Sequence, residues 1–282
     1  MNASNQVVFI SGASSGMGKD FALTLLKEGY KVAAAARRVE QMEDLKDLGA
    51  LTLKMDVTSE EDVLSAVEQV KQQFGQVDVL INNAGFGLYG AMEDIPLADA
   101  RYQFEVNLFG LARLTQALLP GMRERKRGRI INISSMGGKI YTPLGSWYHA
   151  TKHALEGWSD CLRLELREHG IQVVLIEPGA IETEFGDVMS APMQRYSGEG
   201  PYAEYVQACL KMVEEEYNQG GGSPPKVITD LVLKAIRSDK PRTRYSAGKY
   251  ARSMMWMRKW MGDRVFDWSL NHMTDRFRKS SR

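Results

Sequence analysis

Val7-Val8-Phe9-Ile10-Ser11-Gly12-Ala13-Ser14-Ser15-Gly16-Met17-Gly18-Lys19 begins with four apolar residues, turns on three glycines and enters a segment whose apolar positions include Phe21, Ala22, Leu25 and Leu26. A short apolar run reads as a buried strand, the glycine cluster as a turn, and the spacing after it as an amphipathic helix. Strand, glycine turn and helix in this order make a phosphate-binding unit. Glycine lets the backbone turn tightly and approach a pyrophosphate, whose charge is stabilised by free N–H groups and the helix dipole. The alternative is a glycine-rich turn without a ligand, and the flanking strand and helix weigh against it.

The alternation continues beyond this unit. Apolar runs at 7–10, 31–36, 51–55, 77–81, 129–133 and 173–176 are separated by amphipathic stretches. Six βα units imply an α/β fold with a Rossmann-type, doubly wound parallel sheet and helices on both faces. Val77-Asp78-Val79-Leu80-Ile81 is too uniformly apolar for a strand with one wet face. Thr243-Arg244-Tyr245-Ser246 supplies a last strand, giving about seven. Ser59 followed by Asp62 resembles a capping box, and Gly29 and Gly170 stand where helices should stop. Pro120-Gly121 is expected to interrupt the long helix after the fourth strand near its end. The reading is one catalytic domain over 1–282. Within it, 186–225 is expected to be a mobile substrate-loop region: its helical Met-, Tyr- and Glu-rich stretches end in Gly220-Gly221-Gly222-Ser223-Pro224-Pro225. Residues 250–279 are expected to form a cationic amphipathic helical tail.

Bulk properties narrow the function classes. With 282 residues and 44% hydrophobic content the chain can bury a single large core. Its 36 basic and 35 acidic side chains leave +1, so no nucleic-acid partner is expected from the whole. The distribution is uneven: from Arg237 onward there are 13 Lys or Arg against 4 Asp. The two cysteines, Cys161 and Cys209, form no CxxC, which fits a reducing, cytoplasmic compartment. MNASNQVVFISG has no cationic start, which argues against a secretory signal, and no apolar run nears the ~20 residues of a membrane span. The four histidines, His149, His153, His169 and His272, lack ligand spacing, so no metal is expected.

In dinucleotide-binding units that select NAD, an acid at the end of the second strand accepts a hydrogen bond from the ribose 2′-OH. Here Ala33-Ala34-Ala35-Ala36 leads instead into Arg37-Arg38. Guanidinium groups there suit the 2′-phosphate of NADP, so NADP (NADPH) is favoured over NAD, with Ser14 adding a hydroxyl to the same phosphate. Glu40, close by, is the residue that counts against this choice.

Tyr148-His149-Ala150-Thr151-Lys152 sets a phenol and an ammonium four residues apart, on one helix face. A phenol with pKa near ~10 is a weak proton shuttle at neutral pH, and a nearby cation favours its phenolate. Ser134 and Ser135 end the fifth strand, at the sheet edge where ligands of open α/β folds bind.

The spacing Gly12-x3-Gly16-x-Gly18 differs from GxGxxG and resembles the TGxxxGxG turn of the short-chain dehydrogenase/reductase family, with Ser11 for the usual Thr. Asn82-Asn83-Ala84-Gly85, Asn107, Ser135 thirteen residues before Tyr148, Lys152, and Pro178-Gly179 with Thr183 resemble further motifs of that family in their usual order, over about 6–185. The resemblance implies a catalytic tetrad of Asn107, Ser135, Tyr148 and Lys152. Tyr148 would protonate the substrate oxygen, Ser135 hold it, and Lys152 bind the nicotinamide ribose and lower the Tyr148 pKa. Asn107 would support a water-linked proton path. It also implies a cofactor site of Gly12, Ser14, Ser15, Gly16, Met17 and Gly18 in the turn, with Arg37 and Arg38 beyond the second strand. Asp56 and Val57 would lie at the adenine, Asn83, Ala84 and Gly85 behind the fourth strand, and Pro178, Gly179, Ile181 and Thr183 near the nicotinamide. Reduction of a carbonyl is the first expectation. Alcohol oxidation of hydroxysteroid or retinol type is the second, and a catalytically silent NADP-binding sensor the third. The resemblance further implies a homodimer or homotetramer.

Phe86, Leu88 and Tyr89, Met136 and Tyr141, and Phe185, Met189 and Met193 follow the catalytic segments. Such Met-rich apolar side chains suit a small lipophilic carbonyl or alcohol substrate, or else pack beneath a loop. In the tail, Tyr250, Met254, Met257 and Met261 keep helical spacing, Trp256 and Trp260 widen the stripe, and Arg252, Arg258, Lys259 and Arg264 add charge. Packing on the domain, a subunit contact or active-site cover, and peripheral contact with an anionic membrane all fit that pattern.

Overall fold

The computed structural model of the chain describes residues 6–218 and 220–279. Seven parallel strands, β1 (Val7–Ser11), β2 (Lys31–Ala36), β3 (Leu51–Lys54), β4 (Val79–Asn82), β5 (Gly128–Ile133), β6 (Ile171–Pro178) and β7 (Arg244–Ala247), lie in the order β3-β2-β1-β4-β5-β6-β7. The strands alternate in what they bury. Val8, Ile10, Ala34 and Ala36 face one layer, built on α1 (Gly16–Lys27) with a late helix, Lys226–Arg237. Val7, Phe9, Ala33 and Ala35 face the other, where Val63, Val67 and Val70, Leu114 and Leu118, and Leu162 close the core. With both faces covered, every strand must be apolar on both sides, as the unbroken apolar runs indicated.

The order reverses between β1 and β4. A crevice opens there at the carboxyl ends of the strands, and Gly12, Arg37, Asp56, Asn83 and Ser135 all follow such ends. Between β2 and β5 run α2 (Glu43–Asp47), α3 (Glu60–Phe74), α4 (Leu97–Phe104) and α5 (Leu111–Glu124). Ser59 caps α3 by accepting from the Asp62 N–H at 3.2 Å.

Two expectations are corrected. Pro120 does not interrupt α5, which continues to Glu124. Pro120 and Gln116, whose carbonyl the proline ring leaves unbonded, are both exposed, so water can satisfy that oxygen. The regular pattern gives way earlier, in a π-helical turn at Glu105–Gly110. Residues 186–225 are largely helical rather than a loop: after α6 (Ser146–Glu165) come α7 (Phe185–Ser197) and α8 (Ala203–Val213), then a π turn, Glu214–Asn218. Met189, Met193, Val206 and Cys209 bury one face of that pair, which holds it in helical form. Even the glycine run is tied down, since Ser223 bridges to Ile181. Gln219 lies outside the described residues.

Lys226–Arg237 is α9, and the tail is α10 (Ala251–Lys279), broken at Gly262, where φ is 76° and ψ 176°. Among the described residues no helix is long and apolar enough to cross a membrane, and no group of three His, Cys, Asp or Glu could hold a metal ion.

Candidate active site

Gly12 follows β1 at φ 69° and lies against the end of β4: a Cβ there would meet Ala84 Cα at 2.8 Å. Asn83 locks the turn, its side chain donating to the Gly12 carbonyl at 2.9 Å while the Ser11 hydroxyl accepts from its N–H at 3.1 Å. Ser15 precedes α1 without a side-chain cap, and the first turn of α1 has no acid. Open N–H groups at a helix start attract an anion.

A cleft of about 590 Å³ runs along this edge. Gly12, Ser14, Ser15, Gly16 and Met17 line one wall, and Arg37, Arg38, Asp56 and Val57 one end. Asn83, Ala84 and Gly85 form the floor, and Tyr148, Lys152 and Thr183 the far end. Arg37 donates to the Tyr102 hydroxyl at 3.0 Å and Arg38 to the Ser15 hydroxyl at 3.3 Å. Neither guanidinium has a carboxylate partner among the described residues. Length, cations at one end and uncapped N–H groups midway fit a dinucleotide.

Four residues expected at the cofactor do not line this cleft. Gly18 packs against the turn itself: a Cβ would fall 2.2 Å from the Gly12 carbonyl oxygen. Pro178, Gly179 and Ile181 line a second, adjoining cavity of about 140 Å³ that shares Met17, Ser134, Tyr148, Thr183 and Phe185 with the cleft. Tyr89, Met136, Phe185, Met189 and Met193 also line it, as the sequence suggested. Phe86 faces the cleft instead, Leu88 is buried beside Ile95, and Tyr141 packs edge-to-face with Phe266.

Tyr148 lines both cavities. Burial pushes its pKa up to about 12, and a hydrogen bond with Ser135 works the other way. The Ser135 oxygen accepts from the Gly137 N–H at 3.0 Å, which leaves its own proton for Tyr148. Ser134 also lines both cavities, but its buried hydroxyl has no hydrogen-bond partner. Of the two serines, Ser135 is therefore the one engaged with the phenol. Lys152 Nζ lies 5.9 Å from the centre of the Tyr148 ring. Its ammonium donates to the Ile133 carbonyl at 2.9 Å, and burial pulls its own pKa down to about 8.

Asn107 reaches neither cavity. Carried inward by the π turn, it grips the Phe86 backbone, accepting from its N–H at 3.0 Å and donating to its carbonyl at 2.9 Å, and donates to Thr151 at 3.1 Å. It thereby fixes the chain after β4 against the helix that carries Tyr148 and Lys152.

His149, beside Tyr148, lines the second cavity and is buried; what sequence reasoning missed is its hydrogen bonding. Its Nδ1 lies 2.9 Å from the Gly137 carbonyl, and its Nε2 accepts from the Thr142 N–H at 3.0 Å. These partners allow only the neutral Nδ1–H form, and burial lowers its pKa to about 4. Cys209, Met212 and Tyr217 also line the second cavity. They come from α8 and the π turn after it, and nothing in their local pattern marked them. Burial pushes the Cys209 thiol up to about 12, so it is a packing group.

The geometry can be set beside known proteins. The family model described as short chain dehydrogenase matches residues 6–193. An uncharacterized oxidoreductase of Escherichia coli, YbbO, is 36% identical over 261 residues, 92% of each chain. A 3-ketodihydrosphingosine reductase of Bacteroides thetaiotaomicron is 34% identical over 268 residues, 94% of this chain and 96% of that one. A crystal structure of a short-chain dehydrogenase from Streptomyces avermitilis superposes with TM-score 0.80 at 34% identity, covering 100% of this chain and 99% of that one. Other solved neighbours hold NAD or NADP.

Proposed function

The chain belongs to the short-chain dehydrogenase/reductase family, and from that premise we propose that it is an NADPH-dependent reductase of lipophilic ketones or aldehydes, with Tyr148 as proton donor. The observation that carries this reading is the position of Tyr148 at the junction of a dinucleotide-sized cleft and an apolar cavity, hydrogen-bonded to Ser135. A nicotinamide in the cleft supplies the hydride. A carbonyl oxygen between Ser135 and Tyr148 receives one hydrogen bond from each, and the phenol gives up its proton as charge builds on that oxygen.

Arg37 and Arg38 support NADP, because both stand at the cleft's end with no acid to neutralise them. Tyr89, Phe185, Met189 and Met193 make the second cavity apolar, which supports a lipophilic substrate. The relative named 3-ketodihydrosphingosine reductase supports the same class. Two unpaired cysteines suit a cytoplasmic setting.

The test is a fluorescence titration with NADPH and NADH, followed by NADPH oxidation in the presence of long-chain ketones, aldehydes, ketosteroids and retinal. Tighter NADPH binding with turnover on a lipophilic carbonyl is expected. Preference for NADH would overturn the role given to the two arginines. Tyr148→Phe is expected to abolish turnover while NADPH still binds; turnover surviving that change would remove Tyr148 from the chemistry.

A further inference from the structure

Of the five tryptophans, Trp147 and Trp158 are half-buried, while Trp256, Trp260 and Trp268 on α10 are 59%, 67% and 67% exposed. Tryptophan is usually well covered, so three open indoles on α10, two before its break at Gly262 and one after it, call for a partner. They do not serve the fold. Other residues of both segments already do so: Met254 and Met257 before the break, and Phe266 and Leu270 after it, pack in the cluster around Ile140.

Charge identifies the partner. Arg252 and Lys259 flank Trp256 and Trp260, and Arg264 lies one turn before Trp268, all three exposed. None of the three has a carboxylate partner among the described residues. Lys259 extends over the Trp260 ring, 5.0 Å from its centre. The neighbouring acids are engaged: Asp263 pairs with Arg258, and Asp267 accepts from Tyr141 at 2.7 Å. The surface therefore sets exposed indoles beside Arg252, Lys259 and Arg264, with Asp263 offset by Arg258 and Asp267 as its exposed carboxylate beside Trp268. Indoles settle at the membrane–water boundary, and basic side chains beside them hold anionic headgroups. A second copy joined through this face about a two-fold axis would set the same cations against one another.

We propose that the exposed face of α10 docks on a bilayer containing anionic phospholipid. On its packed side α10 contacts α8, which supplies Cys209, Met212 and Val213 to the lining of the second cavity. The inference rests on the tail alone and stands whatever the substrate is.

Co-sedimentation of the full chain with vesicles tests it. Binding is expected to vesicles of equal parts phosphatidylcholine and phosphatidylglycerol, to weaken with salt, and to be absent with phosphatidylcholine alone. Removing three charges in R252Q/K259Q/R264Q should lower the partition coefficient by about two orders of magnitude, at about 1 kcal/mol per charge. W256A/W260A/W268A should lower it by at least about tenfold, each indole lying in the interface. Both variants should keep the wild-type melting temperature and NADPH affinity, showing that the fold is intact. The proposal is overturned by absence of binding to the anionic vesicles at low salt, or by binding that neither variant changes. Sedimentation velocity showing self-association that the tryptophan variant abolishes, without vesicle binding, would assign the face to a second copy and also overturn it.

Discussion

At the scale of single residues, the site contrasts a group held protonated with one held neutral. Tyr148 retains its proton because burial disfavours phenolate, and His149 remains neutral because both ring nitrogens have fixed partners and the ring is buried. The folded pKa of His149, about 4, lies below its ordinary 6.5. Between those values the unfolded chain binds a proton that the folded chain does not. Stability contributed by the neutral imidazole is therefore whole above that window and lost as pH falls through it, by up to roughly 3 kcal/mol. His149→Gln should be less stable than wild type near neutral pH, since the Gly137 and Thr142 backbone groups lose their matched partner. It should also lose less melting temperature between pH 6.5 and pH 4. Parallel melting curves across that window would disprove the assignment. Arg38 offers a second test. Arg38→Ala should weaken NADPH binding by about 10- to 100-fold, the range of a charge-assisted hydrogen bond, and leave NADH almost unchanged. Equal loss for both cofactors would mean that Arg38 acts only by holding Ser15.

At the scale of elements, identical substitutions should have opposite effects according to what surrounds them. In α1, Gly18→Ala would push a Cβ to within 2.2 Å of the Gly12 carbonyl oxygen and 2.4 Å of Asn83 Nδ2. Backbone cannot give way there without opening the turn, so cofactor affinity should collapse and the protein should melt earlier. In α6, a Cβ at exposed Gly157 meets nothing within 4 Å, so Gly157→Ala should stabilise by about 0.5–1 kcal/mol. Thermal melts and an NADPH titration of the two variants check both directions. Such elements were legible in the sequence because their causes are local. Strand runs such as 31–36 are apolar on both faces, and observed strand limits fall within two residues of those read for every strand; β6 differs by two at both ends, where pairing with β5 and β7 extends it from 173–176 to Ile171–Pro178. The glycine turn, the two arginines and Tyr148 with Lys152 were likewise visible, each as a short motif at a strand end or on one helix face. The helices over 186–225 were not fully legible, since glycine and proline dominate the local signal while burial of Met189, Met193 and Cys209 decides the outcome. The bonds of His149 to Gly137 and Thr142 are long-range and leave no periodic trace.

At the scale of the whole molecule, the last strand secures the catalytic helix from behind. Arg244 on β7 donates to Glu156 at 3.0 Å and to Asp160 at 2.7 Å, both on α6, and lies 3.4 Å from Glu177 on β6. Lys139, just beyond the Ser135 turn, meets Glu156 at 2.9 Å, and Glu156 stands one helical turn from Lys152. Charged groups from four parts of the chain thus converge behind the active site. Glu156 and Glu177 are both 3% exposed, and burial together with the Glu156 charge raises the Glu177 pKa. Arg244→Met keeps much of the side-chain volume but leaves two buried carboxylates with only Lys139 between them, so a loss of about 3–5 kcal/mol is expected. The loss should depend on pH. With the guanidinium gone, the Glu177 pKa rises further above the unfolded value, the folded chain binds the extra proton, and stability recovers as pH falls through that raised range. Denaturant unfolding of the variant should therefore show its largest deficit near about pH 8 and a smaller one near about pH 5, and adding Glu156→Gln should reduce the deficit at the higher pH. A deficit of equal size at both, untouched by the second substitution, would mean that Arg244 acts through packing and that the charge network does not hold β7 to α6.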